Sequence, residues 1–184
     1  SLDCSGNSIP SLNVANNTAL KTLNCSNNDL TKINVTANTA LEDFDISGNG
    51  LSAINLRSNT ALKKLNVSGN KEISLVDLRN NTLLEELYAS GLSISELDLT
   101  KIAQLQVLDV LKNPILARII CPSQGWFTKT DVSIGVQEVY CVTEAGLPVQ
   151  GGCVEIDGKV WMGANVGDVS DNHYGKTYDF SQAQ

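Results

Sequence analysis

Apolar and polar positions alternate in a fixed rhythm through the first two thirds of the chain. Leu20, Leu41, Leu62, Leu84 and Leu105 are spaced 21, 21, 22 and 21 residues apart. Each opens a phrase of the form L-x-x-L-x-V-x-x-N, from Leu20-Lys21-Thr22-Leu23-Asn24-Cys25 onward. The phrase recurs inside every repeat, as at Leu30-Thr31-Lys32-Ile33-Asn34-Val35 and Ile73-Ser74-Leu75-Val76-Asp77-Leu78. Self-similarity at this period predicts stacked coils, each unable to bury its apolar face alone. An earlier copy, Ile9 to Asn17, follows the half phrase Leu2 to Asn7, so the text is expected to open inside a repeat.

Geometry limits what each half phrase can form. A first strand of five or six residues spans roughly 18 Å. A helix returning over that distance needs about 12 residues. Only about ten remain in each period, turns included. An extended or 3₁₀ return fits, and the β-branched residues around Ile33 and Val76 favour it. The expectation is a right-handed solenoid of parallel β coils with little helix. Leu20, Leu23, Cys25, Leu30, Ile33 and Val35 should face inward, with their equivalents stacked coil upon coil. Six coils at about 4.8 Å give a rod roughly 30 Å long.

These phrases resemble the leucine-rich repeat, specifically the short repeats of bacterial surface and secreted proteins. The departures are Leu92 and Ile102 at Asn positions, Ala89 at a Val position, and one extra residue near Lys71-Glu72. The resemblance implies a solenoid that binds protein and a secreted or cell-surface location.

Two Asn columns follow from the register. One holds Asn7, Asn28, Asn49, Asn70 and Asn113, and the other Asn17, Asn38, Asn59 and Asn81. At a strand-to-turn corner the backbone has donors and acceptors without ladder partners, and an amide supplies both kinds. Both columns are therefore read as structural ladders. A metal site would need convergent carboxylates, and these columns are almost purely amide.

The outward positions of the first strand form further columns. The candidate binding column reads Asp3, Asn24, Asp45, Asn66, Tyr88 and Asp109, beside Ser5, Ser26, Ser47, Ser68, Ser90 and Leu111. Tyr88 is its one aromatic anchor, the residue type in which binding energy concentrates. A third column, Lys21, Glu42, Lys63, Glu85 and Gln106, alternates in sign and suits cross-strand pairing.

Composition divides the chain near Cys121-Pro122. Of the nine Phe, Trp and Tyr residues only Phe44 and Tyr88 precede that point. Residues 1–122 carry 10 Lys and Arg against 12 Asp and Glu, and residues 123–184 carry 3 against 8. The organisation expected is a solenoid over 1–122 and a small β-rich cap or partial domain over 123–184. Short strands are expected at Val132–Val142 and Val154–Met162, with Asp157-Gly158 as a hairpin turn. The stretch from Val154 resembles the opening of the FISUMP domain of secreted bacterial proteins. Ile156, Gly158, Trp161, Met162, Asn165, Tyr174, Gly175 and Tyr178 match that family's motif, with Phe180 where it has Trp. Trp126, Phe127 and Trp161 serve either a small core or a sugar platform, and Trp161 is the candidate carbohydrate contact.

Chemistry-bearing residues are few. The five cysteines offer no CxxC. Cys4, Cys25 and Cys121 are assigned to one inward column as small apolar residues. Cys141 and Cys153 lie outside the repeat, and a disulfide between them would close a short loop worth about 3 kcal/mol. His173, the single histidine, sits in a turn-like stretch without a nucleophile placed beside it. No cofactor is expected. A net charge of −7 and a pI near 4.6 oppose nucleic-acid binding, and no apolar run reaches the roughly 18 residues of a membrane span. The expectation is a monomeric, non-enzymatic recognition module for a protein or surface glycan, or a spacer displaying a further domain.

Overall fold

The computed structural model describes residues 1–122 and, beyond them, strand segments at 131–134, 140–143, 153–156 and 159–162. Each first half phrase contributes one strand. These are β1 (Leu2–Asp3), β2 (Thr22–Asn24), β3 (Asp43–Asp45), β4 (Lys64–Asn66) and β5 (Glu86–Tyr88). With β7 (Val107–Val110) and β9 (Asp131–Ile134) they form a seven-stranded parallel sheet in the order β1-β2-β3-β4-β5-β7-β9. Its register steps by one repeat: Leu23 pairs Phe44, Phe44 pairs Leu65, and Leu65 pairs Leu87. The chain is thus a β solenoid of about six turns, with no helix among the described residues.

The strands have two to four residues, shorter than the five or six expected. The parallel ladder nevertheless runs further. Lys21 carbonyl accepts from Glu42 and Asp43 N–H at 2.8 and 3.0 Å, and Asn27 N–H donates to Ser47 carbonyl at 2.8 Å. Between those points the Ser26 N–H turns back onto the Asn24 side chain, which ends the regular alternation early.

The return half of each coil is an extended segment followed by two successive turns. Asn38 N–H donates to Val35 carbonyl at 2.9 Å and Leu41 N–H to Asn38 carbonyl at 3.2 Å. The same pair of turns occurs at Val14–Leu20, Leu56–Leu62 and Leu78–Leu84. Late in the solenoid the return segments themselves become strands. β6 (Glu96–Asp98), β8 (Arg118–Cys121) and β10 (Tyr140–Thr143) form a second parallel sheet in the order β10-β8-β6. Both sheets therefore continue beyond Cys121, because β9 pairs with β7 and β10 with β8. β11 (Cys153–Ile156) and β12 (Lys159–Met162) pair antiparallel, Ile156 opposite Lys159, with Asp157 and Gly158 between them in the sequence.

The core is a stack of aliphatic columns closed by neighbouring coils. Leu41, Phe44, Ile46, Leu51, Leu62, Leu65 and Val67 are all fully buried. Phe44 fills a Leu position and is the largest of them. Burying one such side chain contributes about 1.5–3 kcal/mol. Ile33 and Ile54, expected to be interior, are only half-buried, whereas Val76, Leu97 and Ile119 in the same column are enclosed toward the second sheet. Cys121 also departs from its assignment. It lies in β8, in line with Val14, Val35, Leu56, Leu78 and Leu99 on the return side, not with Cys4 and Cys25. The phrase Leu116-Ala117-Arg118-Ile119-Ile120-Cys121 is a return half phrase, which explains the change of column.

The two Asn columns fasten coil to coil in different ways. In the first, Asn70 Nδ2 donates to the carbonyls of Ile46 and Val67 at 3.0 and 2.9 Å, while its Oδ1 accepts Leu51 N–H at 3.1 Å. Asn28, Asn49 and Asn113 repeat this three-way bridge. Asn7, at the open end, is exposed and bonds only within its own coil. In the second column Asn38, Asn59 and Asn81 each donate to two carbonyls of the preceding coil. Their Oδ1 atoms are buried without a donor. Asn17 is exposed and supplies its backbone carbonyl to Asn38.

The break at Leu92 has a local cause. In regular coils the residue two after the ladder Asn gives its N–H to the next coil's amide, as Leu30 does to Asn49. The extra residue at Lys71-Glu72 lets Ile73 N–H close onto Asn70 carbonyl at 3.0 Å. An amide at position 92 would find that donor already taken, and a buried Leu occupies the place.

Candidate functional site

The exposed face of the first sheet is built from positions that the strand alternation turns outward. Nearest the strand entry are Lys21, Glu42, Lys63 and Glu85, and next to them Thr22, Asp43, Lys64 and Glu86. Glu42 holds two cations, Lys21 Nζ at 2.7 Å and Lys63 Nζ at 2.9 Å. The hydrogen bonds from Lys21 and Lys63 draw its pKa down to about 2. Lys64 Nζ pairs with Glu86 at 3.0 Å and lies 5.5 Å from the centre of the Tyr88 ring. Tyr88 hydroxyl donates to Glu86 Oε2 at 3.0 Å, so Glu86 is held below its ordinary pKa by Lys64 first, with Tyr88 assisting. That same bond raises the Tyr88 pKa, because losing the proton would place two anions together.

Asp43 has no such partner among the described residues. Register places it opposite Lys64, but the Lys64 ammonium is bound to Glu86. Partial burial pushes the Asp43 carboxyl up, Lys64 opposes the shift, and Asp45 and Glu86 add to it. These eight residues, Lys21 to Glu86, line a shallow open depression across the middle coils.

The candidate binding column sits deeper on the same face, and its structure was not legible as a motif of recognition alone. Asn24, Asp45, Asn66 and Asp109 each accept, on Oδ1, the N–H of the residue two positions later. This Asx turn swings the chain out of the strand. The Ser26 and Ser47 hydroxyls donate to the same Oδ1 atoms at 2.8 and 2.6 Å. The remaining atoms pair between coils: Asn24 Nδ2 donates to Asp3, and Asn66 Nδ2 to Asp45. Tyr88 cannot accept such a bond on a short carboxyl or amide arm, and Ser90 N–H turns to the Ser68 hydroxyl instead. The return side repeats the device at Asn13, Asn34, Asn55, Asp77 and Asp98. The recurring text Asp/Asn-x-Ser/Thr, as in Asp45-Ile46-Ser47 and Asn34-Val35-Thr36, is the signal for it.

Trp161 lies in β12 opposite Val154, apart from the column. Cys153 opens β11, and Cys141 pairs in register with Ile119 of the second sheet. Gly158, Asn165, His173, Tyr174, Gly175, Tyr178 and Phe180, like Trp126 and Phe127, fall outside the described residues. Cys4 and Cys25 are free thiols, and burial pushes the Cys25 pKa up to about 12. Among the described residues no three His, Cys, Asp or Glu side chains converge as a metal site would require, and no helix is long and apolar enough to cross a membrane.

No family model and no curated protein matches the chain. Among solved structures, the chain is similar to a functional domain of InlJ from Listeria monocytogenes, described as including a cysteine ladder. The TM-score is 0.44 at 22% identity, over 84% of this chain and 46% of that one. The chain thus spans about half the length of the structure it matches.

Proposed function

We propose that this solenoid is a non-enzymatic recognition module of a secreted or cell-surface protein, which binds a protein partner through the open face of its first sheet. The observation that carries the proposal is the face itself. Outward residues of consecutive coils are locked in register by inter-coil hydrogen bonds, and the depression they line is shallow and open. Such a surface suits a broad contact and offers no walls to exclude water from a reaction. Asn24, Asp45, Asn66, Tyr88 and Asp109 would form one flank of the contact, with Tyr88 as its anchor. Residues 123–184 would serve as a cap, since β9 and β10 cover the coil that ends at Cys121.

The test is capture of cell-surface proteins by the immobilised chain, run beside a glycan array. Tyr88→Ala should reduce capture severalfold, whereas Asn55→Ala on the opposite side should leave it unchanged. Saturable binding to polysaccharide that disappears in Trp161→Ala would overturn the reading in favour of a carbohydrate module.

A further inference from the structure

The charges on the open face do not balance, and the imbalance has a definite position. In the first outward column, Glu42 takes both Lys21 and Lys63, which leaves Glu85 without an ion pair among the described residues. In the second column, Lys64 is bound to Glu86, which leaves Asp43 without one. Every Lys on this stretch of the face is engaged, and both side chains left over are acids. Asp43 belongs to the third coil and Glu85 to the fifth, so they stand about 10 Å apart at two coil spacings. Both line the same depression.

We propose that this depression docks a cationic segment of the protein partner, presenting Lys or Arg side chains to Asp43 and Glu85. The inference rests on the protein-recognition reading above and specifies the chemistry of the partner. Asp43 is the stronger half of the argument. Asp43 is half-buried, accepts no side-chain hydrogen bond among the described residues, and feels the charges of Asp45 and Glu86 with Lys64 already committed. Burial without a counter-charge disfavours the ionised form, and an incoming guanidinium would relieve that cost. Arg suits the site because its planar fork can bond a carboxylate through two N–H groups. An acidic side chain entering the depression would meet Asp43, Glu85 and Glu86. An anionic peptide is therefore disfavoured on the same face.

The experiment is isothermal titration of the full 184-residue chain with a nona-arginine peptide, at low and at physiological salt. Three proteins are compared: the wild type, Asp43→Asn with Glu85→Gln, and Asp29→Asn with Glu72→Gln. The last pair removes the same two charges from exposed positions off the face. Saturable binding is expected, weakened about fivefold to tenfold by the Asp43/Glu85 pair and less than about twofold by the Asp29/Glu72 pair. Equal weakening by both pairs would mean that overall charge alone is read, and would overturn the site. Absence of binding, or preferential binding of nona-glutamate, would overturn it as well. Protein capture that depends on Tyr88 but not on Asp43 or Glu85 would sink this inference and leave the recognition face standing.

Discussion

Removing one ladder amide separates the two Asn columns quantitatively. In Asn70→Ala three bonds vanish, but the cost lies in what they leave behind. Ile46 carbonyl keeps a donor from Asn49, at 3.1 Å. Val67 carbonyl and Leu51 N–H lose their one hydrogen bond each, inside a core where Val67 and Leu51 are fully buried. Two orphaned backbone groups at about 1–3 kcal/mol each put the loss near 2–5 kcal/mol. Asn59→Ala removes two bonds, yet orphans nothing. Val35 carbonyl keeps Asn38 N–H at 2.9 Å, and Asn38 carbonyl keeps Leu41 N–H at 3.2 Å. The variant also deletes an Oδ1 that has no donor. Its cost should be about 1–2 kcal/mol, the net worth of two bonds. Urea unfolding followed by circular dichroism at matched m-values measures both, and the melting temperature should fall by about 2–4 °C per kcal/mol. Asn70→Leu should not rescue the first variant, since Leu51 N–H stays unpaired, although a Leu is native at position 92. Asn59→Ala costing as much as Asn70→Ala would refute the claim that orphaned backbone, rather than bond number, sets the price.

Further expectations test the corners, the charged face and the thiols. Lys112 holds φ of 56° at the corner where other coils carry Gly48, Gly69 and Gly91, so Lys112→Gly should stabilise by about 0.5–1 kcal/mol in the same unfolding assay. Gly48→Ala should destabilise by at least about 1 kcal/mol, because φ is 62° and the new Cβ would stand 2.5 Å from Asn27 Oδ1. Glu42 has its folded pKa drawn from an ordinary 4.5 to about 2, so its contribution is present above 4.5 and lost as pH falls through 2. The stability gap between wild type and Glu42→Gln should therefore be widest near neutral pH, close between about 4.5 and 2, and shrink in high salt. Native protein treated with iodoacetamide at pH 8 and mapped by mass spectrometry should carry label on Cys4 well before Cys25, whose thiol is buried with a pKa of about 12. Equal labelling of the two would contradict the packing of β1 on β2.

Much of the architecture was legible because a repeat is written many times over. One copy of Leu20-x-x-Leu23-x-Cys25 is compatible with several structures, but a register kept to 21 or 22 residues from Leu20 to Leu105 admits only stacked coils. The ten-residue return excluded a helix by length alone, and the turns at Val35–Leu41 occupy that space. The candidate face was placed by the same periodicity. Its chemistry was not, since Asp45 and Asn66 look alike as recognition residues and as Asx-turn residues until Ser47 and Ser68 are seen to turn back onto them.

What the sequence determined by itself was therefore whatever depends on distances along the chain: period, inward columns, the absence of room for a return helix, and which residues share an outward column. What only the tertiary structure decided depends on groups roughly twenty residues apart. Glu42 claiming both Lys21 and Lys63 and Lys64 choosing Glu86 over Asp43 are of this kind, and so is the effect of the local Ile73–Asn70 bond on Leu92, one coil further on. Each is a competition for one partner among several within reach, settled by ångström-scale geometry that no spacing rule encodes. Cys121 is a different case. It stands 22 residues after Leu99, so the spacing already pointed to the return column, and the pairing of β8 with β6 places it there.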